Sequence, residues 1–354
     1  MRSNALTQQL GIEHPIVQGP MAGGGSSPEL VIAASHAGAL GSLGAAYLDD
    51  AQIRAAVQTI RAATDRPFGI NLFAPQPVPE LPADTSAAVE LIASYSRDLG
   101  IDAPAVPQPQ EDPFSRQIEA VIDLKPALFS FTFGQVSREI LARCRAAGIL
   151  TAGTATTVEE ARMLEADGVD AVIAQGMEAG GHRGTFLVPF EDAQVGTLAL
   201  VPQVASAVSI PVIAAGGIMD GRGIAAALVL GAQAAQMGTA FLACHEAGVP
   251  DAYKALLGNA QAEQTRVTRA FSGRPARGIV NSFMADGDAL GDQLLPYPLQ
   301  NALTRPMRTA GGKQGRTDVL SLWAGQGASL ARRLPAAELV EHLARETAEA
   351  LARR

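Results

Sequence analysis

AVIAQGMEAGGHRGTF, residues 171–186, is the stretch on which the reading of this chain turns. Its first four residues form a short apolar run with Val172 and Ile173, as a strand buried on both faces requires. An amide (Gln175), an acid (Glu178), paired glycines (Gly180, Gly181) and a histidine beside an arginine (His182, Arg183) follow. Glycine lets backbone approach a ligand closely, and histidine is the side chain that changes charge near neutral pH. A buried strand opening into such a loop is a way of building a site. The same residues also fit a plain strand-to-helix turn with a solvated histidine, and the stretch by itself does not choose.

Composition narrows the class. The chain has 354 residues, 47% of them hydrophobic and 18% charged, enough for a large core and against disorder. The net charge of -8 and the lack of basic clusters with interleaved aromatics argue against nucleic acid as a partner. No apolar run reaches the length of a membrane span, and residues 1–15 lack the apolar core of a signal peptide. Cys144 and Cys244 stand a hundred residues apart without metal-type spacing, so reduced thiols, no metal and a cytoplasmic location are expected. The expected assembly is a monomer or homodimer.

Around 171–186 the chain alternates. Strands are predicted at 15–20, 40–46, 67–73, 127–133, 149–154, 171–174, 211–215 and 234–242, with helices at 28–37, 49–63, 114–123, 135–147, 158–166, 197–208 and 221–230. Eight strands with helices between most of them predict an α/β fold, a (β/α)8 TIM barrel. The barrel is assigned to 1–74 and 113–245. A proline-rich excursion at 75–112, with one helix at 86–99, leaves the barrel end. From 246 to 330 turn signals dominate. One helix is expected at 251–257, within a smaller, mostly helical segment covering the substrate. Residues 331–354 hold a C-terminal helix from 335, with Leu339, Leu343 and Leu351 on its apolar face.

In such barrels ligands bind at the C-terminal strand ends, often with a phosphate after strands seven and eight. Strand seven ends in Gly216-Gly217, and strand eight carries Gln236-Met237-Gly238-Thr239, whose backbone N–H groups suit a phosphate. Tight turns would require the same glycines. Gly221-Arg222-Gly223-Ile224-Ala225-Ala226 matches a loose dinucleotide pattern, but a helix start capped by Asp220 explains it better. Gln18, Met21, Asn71, Thr132 and Gln175 lie at or in strand ends, and the amides among them need partners, from a heteroaromatic ligand or an internal network. His14, His36, His245 and His342 fall outside strand-end loops, which leaves His182 as the acid/base position. Glu178 and Arg183 are read as supporting or solvated charges.

Together, PIVQGPMAGG (15–24), PFGINLFAP (67–75), SFTFG (130–134), GTATT (153–157), AQGMEAGGHRGTF (174–186), PVIAAGGIMDGRGIAAAL (211–228) and QMGTAFL (236–242) resemble the nitronate monooxygenases, formerly 2-nitropropane dioxygenases. The match runs in order over about residues 12 to 245, and SFTFG with GGHRGTF points to the class I branch. The resemblance implies noncovalent FMN in the barrel mouth. It also implies oxidation of alkyl nitronates such as propionate 3-nitronate by O2, to a carbonyl compound and nitrite. By the same resemblance Asn71, Gln175, Gly180, Gly217, Gln236, Met237, Gly238 and Thr239 would contact the flavin, with Met21 and Gly216 beside them. His182 would be catalytic, and Tyr297 and Thr132 would meet the substrate.

The barrel and the AGGH loop also resemble flavin-dependent enoyl-acyl-carrier-protein reductases and NADH:quinone reductases, which would take hydride from NAD(P)H. A flavin-binding protein without turnover would have no need of a titratable His182.

Overall fold

The computed structural model describes residues 4–352. Eight parallel strands form the barrel: β1 (Ile16–Gln18), β2 (Gly41–Gly44), β3 (Phe68–Phe73), β4 (Leu128–Thr132), β5 (Leu150–Ala155), β6 (Ala171–Gln175), then, after the two-residue β7 (Gly181–His182), β8 (Val212–Ala215) and β9 (Ala234–Met237). Their order around the sheet is β1-β9-β8-β6-β5-β4-β3-β2. The ring closes through a parallel bridge between Val17 and Leu40. This is the expected (β/α)8 barrel.

The unbroken apolar character of these strands follows from burial on both sides. In β6, Ala171 and Ile173 point into the barrel, where they pack with Val17, Leu40 and Leu128. Val172 and Ala174 point outward to the surrounding helices. β8 alternates in the same way, with Ile213 and Ala215 inside and Val212 and Ala214 outside. A short N-terminal helix, Ala5–Leu10, plugs the barrel floor with Leu6 and Leu10. This helix is an addition to the elements expected from the sequence.

Capping chemistry sets the helix starts. Ser27 accepts from Leu30 N–H and Asp49 from Gln52 N–H, each the first turn of the helix that follows. Asp220 caps Gly221–Val229, so the dinucleotide-like pattern is a helix start. Cys144 and Cys244 are buried and free. Among the described residues no helix is long and apolar enough to cross a membrane, and no His/Cys/Asp/Glu group is arranged for a metal.

Above the mouth, the helix Ser86–Asp98 of the proline-rich excursion shares a core with the chain beyond 265: Ala88, Ile92 and Leu99 pack with Phe271, Phe283, Leu303 and Met307. That later part is more regular than expected. It contains a hairpin, β10 (Thr265–Thr268) with β11 (Ala276–Ile279), and helices Ser282–Asp288 and Leu299–Gln314. Pro306, inside the second of these helices, and Gly311-Gly312 near its end are the turn signals that hid it.

Other boundaries also move. The expected strand at 234–242 ends at Met237, because Gly238 takes an αR backbone and Thr239–Leu242 is one helical turn. A short apolar run does not distinguish a buried strand from a buried turn of helix. The helix expected at 251–257 is only Asp251–Lys254, and the one at 135–147 begins at Arg138 after the Ser137 cap. The last helix is Ala336–Ala352; residues 353 and 354 of its expected span lie outside the described residues.

Candidate active site

A cavity of about 1190 Å³ opens at the C-terminal ends of the barrel strands. Met21, Asn71, Thr132, Gln175, Gly180 and His182 line it, from the β1, β3, β4 and β6 sides. Gly216, Gly217, Gln236, Met237, Gly238 and Thr239 line it from β8 and β9. Gln18 does not line it, and neither does Tyr297. It stands behind the wall, its ring centroid 6.0 Å from that of His182.

His182 is not in a free loop. Gly181 and His182 form β7, an antiparallel third strand beside β11, with His182 opposite Ala276. Gln175 holds the loop: its Nε2 donates to His182 O (3.0 Å), and its Oε1 accepts from Gly184 N–H (2.8 Å). The amide of Gln175 is therefore largely consumed within the protein. Gln18 goes entirely to an internal network, donating to Ser26 (3.0 Å) and accepting from Ser42 N–H (2.9 Å). Asn71 and Gln236 differ. Asn71 donates to Ser130 Oγ, but among the described residues no donor reaches its side-chain oxygen, and neither end of the Gln236 amide is bonded.

Two carboxylates fasten the loop. Glu160, fully buried, accepts from Thr156 N–H and Oγ1 and from Phe186 and Leu187 N–H. Glu178 accepts from Thr197 N–H and Oγ1. Arg183 is buried and donates to Gln175 O and to Ala193 O (2.5 Å). Both charges on the motif are thus supports. Gly180 is required by packing: a Cβ there would lie 2.5 Å from Gly325 N. Gly217 has φ +70°, in the region that favours glycine.

The electrostatics of His182 are unusual. Its Nε2 lies 2.8 Å from Ser272 Oγ, so Nδ1 is the ring nitrogen left for a ligand. Ser272 Oγ also lies 3.1 Å from Arg274 O. One hydroxyl proton serves both partners. Directed at Nε2 it makes Nδ1–H a donor; directed at Arg274 O it leaves Nδ1 a bare acceptor. Burial first, then the Arg274 and Arg308 cations, push the His182 pKa down to about 3. The ring retains some accessible surface only because it opens on the cavity. At neutral pH the imidazole is therefore uncharged.

Around it stand Phe73, Phe133, Tyr297 and Trp323, with ring centroids 5.5–6.3 Å from the imidazole. Phe133 has φ +80°, a strained value for a bulky residue, and its ring lies under the Arg274 guanidinium at 3.9 Å. Ser272, Arg274, Phe133 and Trp323 carry no local sequence signal of a role at the site. Phe133 lies in the quoted SFTFG, but nothing local marked it as functional. The other three reach His182 only through the pairing of β7 with β11, which no local pattern announces.

Comparison with known proteins matches this architecture. The nitronate monooxygenase family matches residues 3–346. The chain belongs to the nitronate monooxygenase family. Its relatives include a probable nitronate monooxygenase of Staphylococcus aureus (strain Newman), 41% identical over 345 residues, 96% of each chain. Among solved structures, nitroalkane oxidase from Streptomyces ansochromogenes is 46% identical, covers 99% of both chains and superposes with a TM-score of 0.91. FabK from Thermotoga maritima is more distant, at 31% identity and TM-score 0.78 over 99% of this chain and 98% of its own. As a member of this family the chain is an oxidoreductase acting on nitro compounds.

Proposed function

We propose that the chain oxidises alkyl nitronates such as propionate 3-nitronate with O2, using noncovalently bound FMN at the barrel mouth, and releases a carbonyl compound and nitrite in the cytoplasm. The carrying observation is a neutral His182 with one ring nitrogen free, in a large cavity edged by glycine backbone and unbonded amides. Among the described residues Asn71 Oδ1 and the Gln236 amide have no protein partners, as the walls of a heteroaromatic site require. The backbone at Gly217, Gly238 and Thr239 suits a phosphate, Thr239 N–H being in a first helical turn where it has no intrahelical acceptor. The flavin, when bound, supplies the electron transfer and the reaction with O2.

The protein's own part is orientation, exclusion of water and control of a proton at Nδ1. An imidazole whose conjugate acid has a pKa of about 3 is a weak base toward a neutral nitroalkane. It is a competent hydrogen-bond donor to an anion, with Ser272 giving its proton to Nε2 and Nδ1–H facing the nitronate oxygens. This favours the preformed nitronate over its parent nitroalkane. The four surrounding aromatic rings keep the site apolar, which strengthens that bond.

Oxygen uptake decides the matter. Purified protein should be yellow, release FMN on heating and consume O2 with propionate 3-nitronate. Uptake should be much slower with the parent nitroalkane at the same pH, and negligible with NADH alone. Rapid NADH oxidation without nitronate turnover would instead assign the chain to the reductases that share this barrel.

A further inference from the structure

The cavity holds an imbalance of charge that the reaction at His182 leaves unused. Among the described residues no Asp or Glu lines it, although the chain carries a net charge of -8. Three cations do line it, Arg305, Arg308 and Lys313, and all stand on the helix Leu299–Gln314. That helix buries Leu299, Leu303 and Met307 in the upper core and turns the stripe Asn301, Arg305, Arg308 and Gly312 toward the cavity. None of the three cations is within ion-pair distance of a carboxylate among the described residues.

Arg308 is the one held in place. Its Nε donates to Thr304 Oγ1 (3.1 Å), and its Nη2 to Asn301 O (2.9 Å) and Oδ1 (2.7 Å). Nη1 has only a long contact to Ser321 Oγ, 3.4 Å. A guanidinium has five N–H donors, so the Nη1 edge keeps donor capacity for a ligand. Burial pushes its pKa down to about 10, which leaves it fully charged at neutral pH. A half-buried cation whose partners among the described residues are all neutral carries a desolvation cost that a bound anion would offset. Arg308 lines the same cavity as His182, and its Nη1 contact, Ser321, is two residues from Trp323, whose ring centroid lies 5.6 Å from that of the imidazole. Arg305, on the rim, lies 5.4 Å from the Tyr47 ring centroid.

We propose that the Nη1 edge of Arg308, with Arg305 at its side, binds a second anionic group on the substrate, a carboxylate on the alkyl tail, and so selects nitronates that carry one. The inference rests on the proposed reaction at His182 and adds the residue that sets which nitronates are preferred. A dianionic substrate places its nitronate against Nδ1–H of the neutral His182 and its carboxylate against the Arg308 cation, in a cavity lined by no Asp or Glu among the described residues.

The test compares flavin-loaded wild type with Arg308→Met. KM for propionate 3-nitronate should rise about 10- to 100-fold, the range for losing one charge-assisted hydrogen bond. KM for ethyl nitronate should change less than about threefold, and flavin content should be unchanged. Arg308→Lys, which keeps the charge and loses the fork, should recover part of the KM and serves if the Met variant does not fold. Calorimetric binding of malonate against malonamide to the wild-type protein reads the same site without turnover: malonate should bind and malonamide should not. Equal binding of the two, or equal KM shifts for both nitronates, or loss of flavin in Arg308→Lys, would overturn the proposal. Malonate binding without nitronate turnover would uphold the anion site and remove the reaction.

Discussion

One hydroxyl proton and one buried imidazole determine the chemistry available at the candidate site. Ser272 has a single proton to share between His182 Nε2 and Arg274 O, and its choice determines whether Nδ1 gives or takes a hydrogen bond. Ser272→Ala should therefore lower kcat for nitronates by roughly tenfold or more, with flavin content unchanged, since the proton given to Nε2 and the ring orientation it holds are lost. The pH behaviour has a definite sign. An unfolded histidine binds a proton below about 6.5, whereas folded His182 does so only near 3. Between those values the unfolded state holds the extra proton, so stability falls on acidification, by up to about 1.4 kcal/mol per pH unit from this group. His182→Asn should flatten that part of the stability-versus-pH curve, measured by urea unfolding at pH 4, 5 and 6. An unaltered slope would mean that the imidazole is already charged at pH 5.

At the scale of the element, the 171–186 stretch shows what sequence alone conveys and what it does not. Its strand is legible because both faces of β6 are buried, and its glycines and histidine mark a site. That His182 lies in a strand was not legible, since the partner of β7 is β11, nearly a hundred residues further on. Arg308 was hidden for a related reason. A helix interrupted by Pro306 and ending in Gly311-Gly312 does not announce itself, and its cavity-facing cations have the spacing of an ordinary solvated face. The capped helices and the strand-end amides were readable because their chemistry is local. The loop after β6 owes its rigidity to Glu160, whose carboxylate takes four hydrogen bonds. Glu160→Ala would strand those donors in the interior, at a cost of roughly 3–5 kcal/mol. Denaturant midpoints would show it, and flavin retention should weaken in parallel as the loop loosens.

At the scale of the molecule, the barrel sequence is closed by pieces distant from it. The helix Ala336–Ala352 inserts Leu339, Val340 and Leu343 into the outer core of the barrel. Glu346 binds both Arg332 (2.6 Å) and Gly221 N–H (3.1 Å), where a Cβ on Gly221 would lie 2.3 Å from the Glu346 Cβ. Leu343→Ala should cost about 2–5 kcal/mol, as for a large buried side chain, while leaving KM for propionate 3-nitronate unchanged below the melting range. A matching loss of substrate affinity would show that the helix acts on the site and not only on the barrel. The same helix packs against both Pro28–His36, which follows β1, and Gly221–Val229, which precedes β9, the strand paired with β1. The contact joins early and late parts of the described chain, so the loop it closes takes in every strand of the ring after β1.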